Sequence, residues 1–211
     1  MNDMSNTPMS FAPTRPLPFY RVWIKVFTKP GEHTFAEIAA LPNAKASTAF
    51  LWVFLSSLIA PLVSTLRTLG WSQISQISDI DTVFMNFFLV VLLSLVSVFT
   101  MIVVLVHWSA KLFKGASTFS QLAYTVAAIY APSVLVRFVL IGLMTPIIIP
   151  ISIAGPVTLL FIIYAFALFL IAVKTVNKFG WGATTASVFL FVLILVCLYI
   201  ALWLYVSRGL Y

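Results

Sequence analysis

The sequence predicts an all-α integral membrane protein, a bundle of five transmembrane helices with a short interfacial helix before the first span. Composition is the first reason: the 211 residues are 62% hydrophobic and 8% charged, with a mean hydropathy of +1.11. Soluble domains average about 25% charged residues, so this chain requires a lipid environment. The second reason is length, because five apolar stretches each approach the roughly 20 residues that cross a bilayer.

The N-terminal residues are expected to form a disordered cytoplasmic tail. Residues 1–23 are mostly polar and rich in proline, and they contain no apolar run typical of a cleavable signal peptide. The segment that follows, residues 24–45, is predicted to be cytoplasmic or interfacial.

A short helix is predicted inside this segment, in "KPGEHTFAEIAALPNAK". Thr34 and Glu37 match a capping box, and Phe35, Ile38 and Leu41 fall on one side of the helix that follows. We expect this helix to lie in the inner interface with its apolar side toward the lipid. The alternative is a cytoplasmic helix packed on the loops.

The remaining chain, residues 46–211, is predicted to form the membrane domain. Its five spans are expected at residues 46–66, 83–108, 119–140, 150–173 and 183–206. Nine lysine and arginine residues lie in the tail and in the second and fourth connections, against two on the opposite side. The positive-inside rule therefore predicts a cytoplasmic N-terminus and a C-terminus on the other side of the membrane.

The third span begins in "FKGASTFSQLAYTVAAIYAPSVLVRFVL", residues 113–140. Gly115 is expected to let the chain turn before the helix. Thr118 and Gln121 match a second capping box, which predicts a firm helix start. Pro132 removes a backbone hydrogen bond and should kink the helix, with neighbouring helices compensating.

Arg137 is the one charged residue inside a predicted span. At about 1.5 Å per residue it lies roughly 27 Å from Phe119, close to the outer edge of the hydrocarbon core. There it can reach the headgroups. One hypothesis is an ion pair with Asp79 or Asp81 of the outer loop, and the alternative is a solvated arginine bound to a lipid phosphate.

Two further features concern helix packing. Ser56, Ala60 and Ser64 form a ladder of small residues on the first span, which allows close helix approach within one subunit or between two. Pro150 and Pro156 make the start of the fourth span irregular, as in a broken transporter helix or a tight turn. With no charge nearby, the turn is favoured.

No catalytic, metal or cofactor site is predicted. No acidic residue lies inside a predicted span, and the only cysteine is Cys197. Two histidines, His33 and His107, both lie on the inner side. A lone histidine at the end of a helix, such as His107, is more often a polar helix end than a pigment ligand. The net charge of +7 is explained by topology rather than by nucleic acid.

The chain resembles the Yip domain family of membrane proteins, whose eukaryotic members bind Rab-type small GTPases in early secretory traffic. The resemblance rests on "VFTKPGEHTFAEIA", on the third-span stretch and on "FALFLIAVKTVNKFGWGATTASVFLFVLIL". The residues that fit the family pattern of a basic, glycine-containing loop before a span with a proline are Lys114, Gly115, Phe119, Gln121, Leu122 and Pro132. The short tail resembles that of a prokaryotic member, so Rab binding is not carried over.

The function expected from these features is a non-enzymatic scaffold or accessory subunit in the cytoplasmic membrane. Its partners would be the lipid bilayer and other membrane proteins or a second copy of the chain. The alternative is a small transporter or channel. The residues that could line its path, or instead form hydrogen bonds between helices, are Ser94, Ser97, Thr100, Thr125 and Tyr130.

Overall fold

The computed structural model describes residues 16–59, 80–144 and 151–208. Every regular element in these ranges is a helix, which confirms the predicted all-α class. The helices are α1 (Phe19–Thr28), α2 (Glu32–Ala39), α3 (Ala46–Ile59, as far as it is described), α4 (Ile80–Leu112), α5 (Phe119–Met144), α6 (Ile151–Asn177) and α7 (Trp181–Arg208).

Four of these helices are long and apolar enough to cross a membrane. Their spanning segments are Leu92–Leu112, Phe119–Arg137, Gly155–Asn177 and Trp181–Ala201, and each overlaps one of the second to fifth predicted spans. The chain is therefore an integral membrane protein. The first predicted span, residues 46–66, continues past Ile59 outside the described residues, and the count of five stays a prediction.

Helix α5 is the centre of the bundle. In its spanning segment 61% of the residues are buried, against 17% in α6 and 22% in both α4 and α7. Helices α1, α2, α4 and α6 all pack on it. The reason is an alanine-rich surface, because small side chains let neighbouring helices approach closely. The fully buried alanines of α5 are Ala123, Ala127, Ala128 and Ala131.

Helix α1 corrects the expectation of a disordered tail through residue 23, since residues 19–23 form its first half. Pro18 precedes the helix, where its missing N–H costs nothing. Val22 and Val26, one turn apart, are fully buried. The proline-rich stretch thus leads into an amphipathic helix that the bundle stabilises. Residues 1–15 lie outside the described part of the chain.

Helix α2 is present, but two predictions about it are wrong. It begins at Glu32, so Thr34 lies inside it and its hydroxyl donates to the carbonyl of Lys29 at 2.7 Å instead of capping. Its apolar side, with Phe35 and Ile38 fully buried, packs on α5 and α6 rather than facing lipid. A close-packed protein surface supplies more dispersion contacts than mobile lipid chains do.

The long helices extend past their predicted ends. Helix α4 begins at Ile80, so residues 80–82 are helical and not part of a loop. Helix α5 continues through Pro132 to Met144, seven residues beyond Arg137. The irregular start or tight turn predicted for residues 145–156 is wrong for its second half, because α6 begins at Ile151 and contains Gly155 and Pro156. Residues 145–150 lie outside the described residues.

Candidate functional site

A cleft between α4, α5 and α6 encloses a volume of about 370 Å³. Each helix contributes residues spaced three, four or seven apart, which places them on one side of that helix. The lining residues are Ser94, Leu95 and Val98 of α4, Tyr130, Ser133, Val134 and Arg137 of α5, and Thr158, Phe161, Ile162 and Ala165 of α6. We call this cavity the distal cleft, because it lies away from the turns that join α4 to α5 and α6 to α7.

Two of the polar groups in the distal cleft already have hydrogen-bond partners. The hydroxyl of Tyr130 donates to the carbonyl of Leu95 at 3.0 Å and ties α5 to α4. The hydroxyl of Ser133 donates to Ile129 of its own helix at 2.7 Å. No carboxylate among the described side chains pairs with Arg137, which is exposed at the end of the cleft.

A second cavity of about 230 Å³ adjoins the distal cleft. The two share the lining residues Tyr130, Ser133 and Ala165, so they lie next to each other along α5, and both are lined mainly by apolar side chains. The second cavity extends toward the turns, as far as Phe169 of α6 and Phe191 of α7.

The opposite end of the bundle is closed by two turns, residues 113–118 and 178–180, which we call the turn end. Just after the ends of α4 and α6, a lysine adopts the left-handed backbone conformation, Lys114 with φ 61° and Lys178 with φ 56°. The N–H of Gly115 donates to Ala110 at 2.8 Å, and the N–H of Phe179 donates to Lys174 at 2.9 Å. Both turns therefore have the hydrogen-bond pattern of a Schellman cap, with lysine where glycine is usual.

Gly115 is required at the turn end for close approach, and not for the turn itself as predicted. A Cβ atom at this position would lie 2.4 Å from Oδ1 of Asn177 and 3.0 Å from the ring of Phe179. The left-handed residue is Lys114 instead. A lysine tolerates that conformation at a cost of about 1–2 kcal/mol, whereas no side chain fits at position 115.

Asn177 joins the two turns. Its Oδ1 accepts from the hydroxyl of Ser117 at 2.7 Å, and its Nδ2 donates to Val173 at 3.0 Å. Its carbonyl accepts from the N–H of Ala116 at 3.3 Å. Lys111 adds two bonds from Nζ to the carbonyls of the first turn, at 3.1 and 2.9 Å. Asn177 and Ser117 are both buried, so this network fixes the turn end.

The N-terminal helices attach to the bundle beside this network. Glu32 of α2 pairs with Lys174, whose ammonium lies 4.5 Å from the ring centre of Trp181. Farther along α6, the hydroxyl of Tyr164 donates to the carbonyl of Phe27 at 2.8 Å. Helices α1 and α2 are thus an integral part of the bundle.

The capping box at the start of α5 is present. The N–H of Thr118 donates to Oε1 of Gln121 at 3.1 Å, and the N–H of Gln121 donates to Oγ1 of Thr118 at 3.2 Å. This reciprocal pair places the helix start next to the Asn177 network.

The other predicted interaction residues are only partly described. The partner of Arg137 stays a prediction, because Asp79 lies outside the described residues and Asp81 is described only as a helical position of α4. Of the small-residue ladder, Ser56 is buried, while Ala60 and Ser64 lie outside the described residues.

The histidines do not lie in a group of potential metal ligands. His107 packs edge-to-face on Phe119 at a centroid distance of 5.6 Å, and His33 lies 3.9 Å from Glu37. Within the described ranges, no three His, Cys, Asp or Glu residues converge as a metal site would require.

Sequence reasoning missed two features. Asn177 and Ser117 are isolated polar residues, and only the fold shows that they meet. The distal cleft depends on how three helices separate, although the spacing of Tyr130, Ser133 and Arg137 was a usable signal.

A family model, described as Yip1 domain, matches residues 24–204 of the chain. The match covers all seven described helices except the first residues of α1 and the last of α7. Comparison with curated proteins and with solved structures finds no significant match.

Proposed function

Because the chain belongs to the Yip1 domain family, we propose that it is a non-enzymatic membrane scaffold or accessory subunit, which organises membrane partners or lipids. It would act in the cytoplasmic membrane with its N-terminus in the cytoplasm. Lysines of both turns lie at the same end of the bundle as the Glu32–Lys174 pair, which supports one basic side of the molecule.

The observation that carries this proposal is the hydrogen bonding of the polar residues that could have lined a transport path. The hydroxyl of Thr100 donates to Val96 at 2.8 Å, and that of Thr125 donates to Gln121 at 2.7 Å. These two bonds lie within single helices, whereas the hydroxyl of Tyr130 donates from α5 to the backbone of α4. Hydroxyl protons that backbone carbonyls already accept are not free to bind a passing solute, and the Tyr130 bond also holds two helices together. This favours the scaffold over the transporter.

Helix α1 offers a surface that a partner could use. Its buried side carries Val22 and Val26, and a second apolar side, formed by Phe19, Tyr20 and Ile24, is about half exposed. Because α1 is held by the bundle, this surface is already ordered before a partner binds, which lowers the entropic cost of association.

Photocrosslinking in native membranes tests the proposal. A photoreactive residue at position 24 on α1 should crosslink to a membrane protein in stoichiometric yield. The matched control is position 104, an exposed valine on α4, which should crosslink to lipid alone. Lipid adducts at both positions would argue against a protein partner at α1.

Aqueous thiol labelling tests the alternative. With Cys197 replaced by serine, single cysteines at positions 100, 125 and 130 should resist a membrane-impermeant maleimide present on both sides of the membrane, whereas one at exposed Lys178 should react. A continuous labelled stripe through the first three positions would favour the transporter instead.

A further inference from the structure

The distal cleft combines a mainly apolar lining with one cation at its end. We propose that it binds a single anionic phospholipid, with one acyl chain in the cleft and the phosphate on Arg137. This goes beyond the scaffold role and would stand without it, because it concerns a lipid site on one chain and needs no protein partner.

The position of Arg137 supports a headgroup contact. Three polar residues of the cleft lie almost equally far from the turn end along their helices. Arg137 comes 18 residues after Phe119, Ser94 comes 18 residues before Leu112, and Thr158 comes 19 residues before Asn177. At about 1.5 Å per residue, all three lie close to 27 Å from the turn end. The hydrocarbon core is about 30 Å thick, so this polar level falls where the phosphates of the opposite leaflet begin.

The shape of the cleft supports an acyl chain. From Arg137 the cleft follows α5 past Ser133 to Tyr130, and the second cavity lies beyond Tyr130 on the side of Phe169. The cleft therefore runs along the helices, as a lipid chain does in a bilayer. Its volume of about 370 Å³ lies within the roughly 300–1,000 Å³ typical of small-molecule sites.

Access from the bilayer is lateral. Val98 of α4 and Ile162 of α6 line the cleft and are also 42% and 49% exposed to the surroundings of the helices. A lipid can therefore enter from the leaflet without crossing the bundle.

Charge decides which lipid the site prefers. Arginine binds phosphate through two parallel hydrogen bonds, and an arginine in a membrane span needs such a counter-charge. A zwitterionic lipid offers the phosphate together with a competing cation, whereas an anionic phospholipid offers it without one.

Native mass spectrometry of the purified, delipidated full-length protein tests this proposal. The protein is titrated with phosphatidylglycerol, with phosphatidylcholine of the same acyl chains, and with inorganic phosphate. We expect one retained phosphatidylglycerol per chain, with about a fivefold preference over phosphatidylcholine, and no competition by inorganic phosphate.

Variants separate the two parts of the site. Arg137→Gln should remove the preference, and Arg137→Lys should keep most of it. Ala165 lines both cavities, so Ala165→Phe places a ring in them and should abolish retention of both lipids. Ala167→Phe, at an exposed position two residues away, is the matched control and should retain both. If Ala165→Phe does not fold, Ile162→Trp narrows the cleft from its exposed side and should weaken retention.

Four results would overturn the proposal. The first is equal retention of both lipids by the wild-type protein, and the second is a preference that survives Arg137→Gln. The third is a preference seen only after Asp79→Asn and Asp81→Asn, which would show that Arg137 is engaged by an aspartate. Efficient competition by inorganic phosphate would likewise contradict an acyl-chain site.

Discussion

The turn end and the distal cleft lie on the same helices and differ in how the space between those helices is filled. At the turn end, Asn177 and Ser117 are buried and hydrogen-bonded, and Gly115 leaves no room for a methyl group. In the distal cleft, α4, α5 and α6 separate around about 370 Å³. Among the described residues, close packing and buried hydrogen bonds are concentrated at the turn end, and the distal cleft leaves room for a ligand in the other half.

Among substitutions that test this difference in packing, Gly115→Val is expected to cause the largest loss of stability. The added side chain collides with Asn177 and Phe179, which combines overpacking of about 1–3 kcal/mol with loss of a buried hydrogen bond of about 1–3 kcal/mol. We expect the unfolding free energy to fall by about 3 kcal/mol, measured by tryptophan fluorescence during titration with SDS in mixed micelles. Gly182→Ala, where no atom lies within 4 Å, is the control and should change little.

Asn177→Leu should have the next largest effect, because it removes Oδ1, the acceptor of the buried Ser117 hydroxyl, while the backbone carbonyl that accepts from the N–H of Ala116 stays in place. The expected loss is about 2 kcal/mol of unfolding free energy. Adding Ser117→Ala should cost little more, since both changes remove the same bond. Fully additive losses in the double variant would show that the two residues stabilise the turn end separately.

A pair of alanines on α6 compares the two halves directly. Ala172 is fully buried near the turn end, and Ala165, two helical turns away, lines the distal cleft. Ala172→Leu should lower the unfolding free energy by about 1–3 kcal/mol through overpacking, whereas Ala165→Leu enters open space and should cost less than 1 kcal/mol. The same SDS titration measures both, and equal losses would mean that the distal cleft is as tightly packed as the turn end.

The sequence predicted best what depends on neighbours along the chain. The apolar runs gave the four long helices, and Thr118 with Gln121 gave the start of α5, because a capping box needs only residues three apart. The reading of Phe35 and Ile38 as lipid-facing was wrong because apolar periodicity shows that a helix has a buried side, and not what buries it.

Contacts across the fold were not predictable in this way. Asn177 lies 60 residues from Ser117, and no local signal marks the pair. Gly115 was recognised as special, but for its backbone freedom, since the close approach of Phe179 depends on tertiary packing. The distal cleft likewise follows from the angles between three helices, which composition does not encode.

The smallest expected effect concerns the attachment of α2 at the turn end. Glu32→Gln removes the ion pair with Lys174, but the Glu32 side chain is 58% exposed, so we expect a loss of less than about 1 kcal/mol that shrinks further as salt is added. Lys174→Met should cost more, because it also removes the cation from the face of Trp181. Salt screens the contact between Lys174 and the Trp181 ring less than it screens the ion pair. The difference in unfolding free energy between the two variants, measured at low and high salt, therefore isolates the contact with the ring. If both losses were equal and vanished at high salt, the hydrogen-bonded network around Asn177 alone would hold the turn end together.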